Sequence, residues 1–465
     1  MGHTRRLGLG TAVVAVMVVV LLVVSGVAGS AASAGLEAVG AREKAPDRVD
    51  PEIFHAPPPD LPVASEPEPV AAVATGEPGT SADAVTSRIR QVGPAPGTVY
   101  GQVLDVASGE ALYSADSDGV GVPASTMKVL TALGVLDVYG PDHRFSTETR
   151  ADASDPTHVW IVGGGDPTLT RASLDTLADR TADALTESGT TRVTLGVDAS
   201  IFAGDGWNPT WRDVYRDYVT PTEGLWLDRG RLSDNAVGPR EQHPVDATGR
   251  AFADALRARG IDVGGVERSA APDEDAATPL GAVASAPLSS IVERALAASD
   301  NDTMEILFRH IGRDGGDGSL DASRTRLRDL LTERKIWADG MQIADGSGLS
   351  RDNRVAASAL AEAVALAASE EEPDLRPVLL GMPVAGAEGT LLERFVEPGT
   401  EAGRGVVRGK TGTLTGVSSL AGYVRDRDGA VLVYAFLVNG EPDGDYQARV
   451  YLDRVTSALA DCGCR

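Results

Sequence analysis

The chain has 465 residues and a formal net charge of −25, from 67 acidic and 42 basic side chains. So acidic a chain cannot neutralise a phosphate backbone, which excludes nucleic acid as a partner. Its only cysteines are Cys462 and Cys464, and none of its six histidines forms a H-E-x-x-H pair, so neither a metal nor a cofactor is implied.

Residues 1–34 have the form of an export segment. Arg5 and Arg6 precede an uncharged run from Leu7 to Ala28, and Ala32-Ser33-Ala34 offers a small-residue cleavage site. The run is also long enough to span a bilayer, so a cleaved signal peptide and an uncleaved N-terminal anchor both fit. Either places the rest of the protein outside the cytoplasm, at the wall or cell surface. Residues 35–85 follow as a linker. Nine of the 27 prolines fall between Pro46 and Pro78, among Ala, Glu and Asp, too polar to offset the entropy of ordering.

Globular patterning starts near Val85. Thr98–Asp105 and Glu110–Ser114 alternate as a hairpin turning at Ser108-Gly109. Thr126–Tyr139 has helical spacing and stops at Gly140-Pro141. From 145 to 287 short strands (His158–Val162, Thr191–Val197) alternate with helices (Ser173–Glu187, Ala247–Arg259). After Leu288 the pattern turns helical through about Leu380. Val417–Arg425 and Ala430–Asn439 then form two apolar strands, and a helix runs from Tyr446 to Ala460. The Cys-Gly-Cys end is expected to be a loose tail, because a bridge between residues two apart is strained.

Only four of the 42 basic residues are lysines: Lys44, Lys128, Lys335 and Lys410. Arg stays protonated in proteins, whereas a buried Lys can lose its proton. Lys128 closes Ser125-Thr-Met-Lys128 at a helix start, where a Ser and a Lys three apart share one face. A neutral lysine amine there can take the proton of the serine hydroxyl. The helix N-terminus adds a positive field and free N–H groups for an oxyanion. A surface Ser and Lys on a helix would look the same, so the motif decides nothing alone. Lys410 lies in Gly409-Lys410-Thr411-Gly412-Thr413, where a cation between hydroxyls can hold a carboxylate and the glycine admits a close substrate. Ser299-Asp300-Asn301 sits between two helical stretches, a place that a helix cap also explains.

The order S-x-x-K, S-x-N, K-T-G is the signature set of the penicillin-recognising serine acyltransferases. The 174 positions between Ser125 and Ser299 leave room for inserted domains. In that, and in Gly163–Leu169, Val197–Phe202, Asp345–Arg351, Pro383–Gly386 with Gly389–Leu391, and Lys410–Gly416, the chain resembles the class C low-molecular-mass penicillin-binding proteins. These are the D-alanyl-D-alanine carboxypeptidase/endopeptidase family, and the resemblance covers about residues 90–460. It implies an α/β fold: a penicillin-binding transpeptidase-like domain, an antiparallel sheet flanked by helices, formed by 86–144 and 288–465. Mainly β insertion domains would occupy 145–287.

The resemblance also implies roles. Ser125 would be the nucleophile toward a terminal D-Ala–D-Ala bond of a peptidoglycan stem peptide, and Lys128 its base. Lys128 would be kept neutral by burial and by nearby Lys410. Ser299 would relay the proton to the leaving amine, and Asn301 would bind the substrate amide and orient Lys128. Lys410, Thr411 and Thr413, with Gly412 and Leu414 on the same strand, would hold the substrate's carboxylate end. A β-lactam would acylate the same serine. An aromatic-rich stretch, Trp207 to Tyr218, resembles the family segment overhanging the site. There Asp213 would pair with the free amino group of the stem peptide, beside Trp211, with Tyr218 and Leu349 as walls. Two alternatives stay open: a β-lactamase or esterase on the same catalytic set, and a catalytically weak wall-binding protein.

Overall fold

In the computed structural model, residues 80–233, 237–440 and 445–464 are described. The segment 1–34 and most of the 35–85 linker lie outside these residues. Among the described residues, no helix is long and apolar enough to cross a membrane.

The central strand explains the main sheet. Val431–Asn439 reads VLVYAFLVN and is buried along almost its whole length. Val433, Ala435 and Leu437 face one core; Leu432, Tyr434, Phe436 and Val438 face the other. That split is the two-residue period of a strand with both faces covered. The strands are β1 (Thr98–Asp105), β2 (Ala111–Ala115), β10 (Arg408–Leu414), β11 (Val417–Arg425) and β12 (Val431–Asn439), in the order β10-β11-β12-β1-β2, while β3 (Val120–Gly121) and β9 (Val355–Ala356) form a separate antiparallel pair. All neighbours are antiparallel, with Thr411 opposite Leu420 and Val103 opposite Tyr434. Strand β10 is therefore an edge.

One face of this sheet carries α1 (Ala82–Gln91) and the C-terminal helix α10 (Asp445–Ala460). The other carries the helical body: α2 (Met127–Tyr139), α5 (Leu288–Ala298), α6 (Asn301–Ile311), α7 (Leu320–Glu333), α8 (Ala357–Ala368) and the short α9 (Pro377–Leu380). Every residue of α2 from Met127 to Leu136 is buried, as suits a helix apolar on all sides.

Residues 146–284 form a second sheet, with β4 (Ser146–Asp152), β5 (His158–Gly163), β6 (Arg192–Asp198), β7 (Asp262–Arg268) and β8 (Ala277–Ala284) in the order β7-β6-β5-β4-β8. The pairs β5/β6 and β6/β7 are parallel. Parallel neighbours need long crossovers, and helices α3 (Arg171–Glu187) and α4 (Pro244–Ala258) supply them. The inserted segment is thus more helical than the mainly β expectation.

Two further expectations are corrected. Helix α1 starts inside the expected linker, capped by Ser81 Oγ, which accepts from the Ala84 N–H, and Val85 is fully buried. The C-terminal tail is not loose. Cys462 and Cys464 are disulfide-bonded to each other and buried in the α1/α10 core. The Cys464 carbonyl accepts from Ser81 N–H at 2.6 Å, and the Cys462 carbonyl from Arg427 N–H at 3.0 Å. Those backbone bonds give the tail a place that its sequence does not reveal.

Candidate active site

Two turns and an edge strand meet at one point. The first, Ala124–Thr126, is a 3₁₀ turn leading into α2 and carries Ser125. Ala124 takes a positive φ of 47°, a conformation non-glycine residues adopt at a cost. Neighbours fix it. The Pro123 carbonyl accepts from Thr126 Oγ1 at 2.7 Å and Ser419 Oγ at 2.6 Å. A Cβ on Gly412 would lie 2.2 Å from Ser419 Oγ and 3.0 Å from Ser125 N. The glycine of the K-T-G motif therefore admits the nucleophile turn rather than only a substrate.

The second turn joins α5 to α6. Ser299 takes the left-handed conformation (φ 55°) that ends α5. Asp300 caps α6 by accepting from Thr303 N–H at 3.2 Å. The cap thus belongs to Asp300, which leaves Ser299 and Asn301 for other contacts. The third element is the edge strand β10, with Lys410 buried beneath it.

Lys128 Nζ donates to Ser125 Oγ at 3.0 Å, Asn301 Oδ1 at 2.7 Å and the Ser347 carbonyl at 2.6 Å. Lys410 Nζ donates to Ser299 Oγ at 2.9 Å and the Thr411 carbonyl at 2.8 Å. Thr411 Oγ1 donates to Thr390 Oγ1 at 2.8 Å. A hydroxyl in contact with a buried amine, a second amine on a second hydroxyl, and an edge strand alongside form an arrangement able to carry out acyl transfer. Among the described residues, no cluster of His, Cys, Asp and Glu able to hold a metal was found.

The sequence pattern of the D-Ala-D-Ala carboxypeptidase 3 (S13) family matches residues 81–241 and 233–459. The chain belongs to that family. It is a serine-type peptidase. A carboxypeptidase of Mycobacterium tuberculosis is 36% identical over 407 residues, 83% of this chain and 85% of that protein. A D-alanyl-D-alanine carboxypeptidase of Actinomadura sp. (strain R39) is 29% identical over 420 residues, 73% of this chain and 77% of that one. Penicillin binding protein 4 from Haemophilus influenzae shares the fold, with a TM-score of 0.69 and 20% identity over 81% of this chain and 99% of that one.

In this carboxypeptidase-family site both lysines are fully buried. Burial pushes the Lys128 ammonium down to about 8, while Asp345, Glu305, Asp300 and Asp302 pull it back up. Lys410 falls well below the ordinary lysine range, through burial and then the charge of Lys128. The expected repulsion between the two lysines is present and lowers Lys410.

The inserted segment braces the S-x-N turn. Asp300 Oδ2 accepts from Arg229 Nη1 at 2.6 Å and lies 3.0 Å from Arg231 Nη2. Asp302 Oδ2 pairs with Arg231 at 3.2 Å and Arg240 at 3.4 Å, and its Oδ1 accepts from Thr220 N–H at 2.8 Å. Asn301, between the two acids, donates from Nδ2 to the Tyr218 carbonyl at 3.2 Å. Arg231 thus grips the residues on both sides of Asn301.

The overhanging stretch divides. Trp211 is buried with Tyr215, Val219 and Leu349, and its Nε1 donates to Asp345 Oδ2 at 2.7 Å. Leu349, expected as a wall, is instead buried in this cluster with Trp211, whose indole N–H has found a partner, as a buried Trp requires. Tyr218 is partly exposed, at 38%. The Asp213 side chain is 95% exposed, 3.7 Å from Arg216. Leu414 ends β10 half-buried, and Thr413 is exposed beside it. Asp166 and Asp198 hold loops, through Thr168 and through Ser200 and Ala271. Sequence reasoning assigned no role to Thr390, Arg231, Glu305 or Ser347. Thr390 and Ser347 fall in stretches that carry the family resemblance, which was the available signal for those two.

Proposed function

We propose that this protein removes the terminal D-Ala from peptidoglycan stem peptides through an acyl-enzyme on Ser125. The observation that carries this is the contact of Lys128 Nζ with Ser125 Oγ, with Lys410 on Ser299 beside it. Neutral Lys128 takes the hydroxyl proton as Ser125 Oγ bonds to the penultimate D-Ala carbonyl carbon. The N–H groups of Ser125 and Thr413 receive the oxyanion. The C–N bond then breaks, and Ser299 relays the proton taken up by Lys128 to the departing amine. Water hydrolyses the ester and frees Ser125. Lys410, held low by burial and by Lys128, gains its counter-charge when the substrate carboxylate arrives. Asp213 is available for the stem peptide's free amino group, since its carboxylate stands in solvent.

A β-lactam presents the same carbonyl and carboxylate and acylates the same serine. Substrate of this kind lies outside the cytoplasm, in line with the export pattern of residues 1–34, by signal or anchor. The same chemistry cuts a D-Ala cross-link wherever the edge groove of β10 admits it. Purified protein is incubated with a stem pentapeptide and with a cross-linked dimer. Release of D-Ala, abolished by Ser125→Ala, supports the reading; absence of any cleavage of either substrate by folded protein overturns it.

A further inference from the structure

Glu305 is a fully buried carboxyl one helical turn beyond Asn301, on the same face of α6. Its Oε1 accepts from Gly346 N–H at 3.1 Å and Ser347 N–H at 2.7 Å. Its Oε2 is buried and has no hydrogen-bond partner. Such a bare oxygen is costly on a carboxylate and much less so on a neutral carboxyl.

The loop that Glu305 holds is the loop that meets Lys128. A neutral amine has two N–H bonds and one lone pair. Lys128 has three polar neighbours: Asn301 Oδ1, the Ser347 carbonyl and Ser125 Oγ. If the first two take the N–H bonds, the lone pair must point at Ser125 Oγ. The Ser347 carbonyl therefore aims the base. Three groups fix it. Glu305 holds the Gly346 and Ser347 N–H groups, Asp345 Oδ1 accepts from Gly348 N–H at 2.8 Å, and the Gly346 carbonyl accepts from Thr131 Oγ1 at 2.7 Å. Asp345 accepts two further bonds on Oδ2, from Ser350 N–H and Trp211, and one on Oδ1 from Asn353. Only Glu305 of the two acids leaves an oxygen bare.

We propose that Glu305 is a positioning residue for acylation: it fixes the Ser347 peptide that aims the Lys128 lone pair, and it does so as a protonated, neutral carboxyl. This rests on the acyl-enzyme reading above. The charge balance agrees. The groups facing this pocket are Lys128 on α2, Lys410 on β10, Asp345 on the loop, and Asp300, Asp302 and Arg309 on α6 or its cap. Burial, then the charge of Asp345, raises Glu305 to about 8, level with Lys128. An ionised Glu305 would draw a proton onto Lys128; a neutral one leaves the amine free to act as base.

The test compares pH profiles of penicillin acylation for wild type, Glu305→Gln and Glu305→Met, each checked for folding by thermal unfolding. Glu305→Gln keeps an acceptor for the two N–H groups and cannot ionise. As the uncharged mimic of a neutral carboxyl, it should acylate at near the wild-type rate at pH 7, with an acid limb superimposable on wild type. Glu305→Met loses the acceptor and should acylate about tenfold to a hundredfold more slowly at every pH. A folded Glu305→Met at the wild-type rate, or a Glu305→Gln acid limb displaced downward by about one pH unit, overturns the proposal. A readout independent of activity is the infrared carbonyl band of a protonated carboxyl. It should be present in wild type at pH 7 and absent from Glu305→Gln; its absence from wild type overturns the neutral carboxyl. If wild type itself is not acylated, the acyl-enzyme reading fails, and the infrared result still decides the state of Glu305.

Discussion

Gly348 and Ala124 occupy each other's space: a Cβ on Gly348 would stand 1.9 Å from the Ala124 carbonyl oxygen. Gly348 also has a φ of +83°, which favours glycine on its own account. The loop that contacts Lys128 is thereby pressed against the turn that carries Ser125. Gly348→Ala should cost about 2–3 kcal/mol of stability. It should also slow acylation by about tenfold or more, because the nucleophile turn must shift. Urea unfolding and penicillin acylation rates check both effects; a variant with wild-type values for both would contradict the contact.

In the proposed mechanism Lys128 works only as a free amine. With its proton affinity near 8, acylation should rise with pH through that region and fall as acid holds the ammonium form. Lys128→Arg keeps the positive charge and should lose about a hundredfold or more in acylation rate, since guanidinium stays protonated. A stopped-flow pH profile of both proteins measures this. An arginine variant that keeps the rate would remove Lys128 from the role of base.

Arg231 is the brace between the inserted segment and the S-x-N turn. It bridges Asp300 and Asp302, whose side chains are 4% and 0% exposed. Arg231→Met strands part of that buried charge and should cost about 3 kcal/mol. The loss should exceed that of Arg192→Met, which breaks an exposed pair with Asp262. Equal unfolding free energies for the two variants would show that the brace carries no special strain.

Asp213 separates recognition from chemistry. Its carboxylate is exposed whereas Lys128 is fully buried, so under the proposed recognition role Asp213→Ala should lower kcat/KM for peptides bearing a free amino end by about tenfold. Penicillin acylation should stay near normal. Parallel loss of both activities would place Asp213 in the structure of the site and not in recognition.

The chemistry was more legible than its supports. Four lysines in an arginine-rich chain drew attention to Lys128 and Lys410, and the ordered motifs around them meet in space. The apolar run of β12 likewise announced a strand, which the fold buries on both faces. Arg231 and Glu305 were hidden, because they are ordinary residue types whose meaning comes from partners distant in sequence. Asp300 looked like a cap, and it is one, yet its second oxygen also holds the insertion. Leu349 was expected as a wall and Trp211 beside the substrate, and both lie in a small core, because aromatic density alone does not distinguish a lining from a core. The start of α1 was obscured by the proline-rich run before it, although Ser81 followed by helix-compatible residues is a capping signal.

The most direct test of the central claim is mass spectrometry of the folded protein after incubation with a labelled penicillin. The account predicts one adduct per chain, on the peptide containing Ser125, and none in Ser125→Ala. Folded protein without an adduct, or with the adduct on another residue, would contradict it.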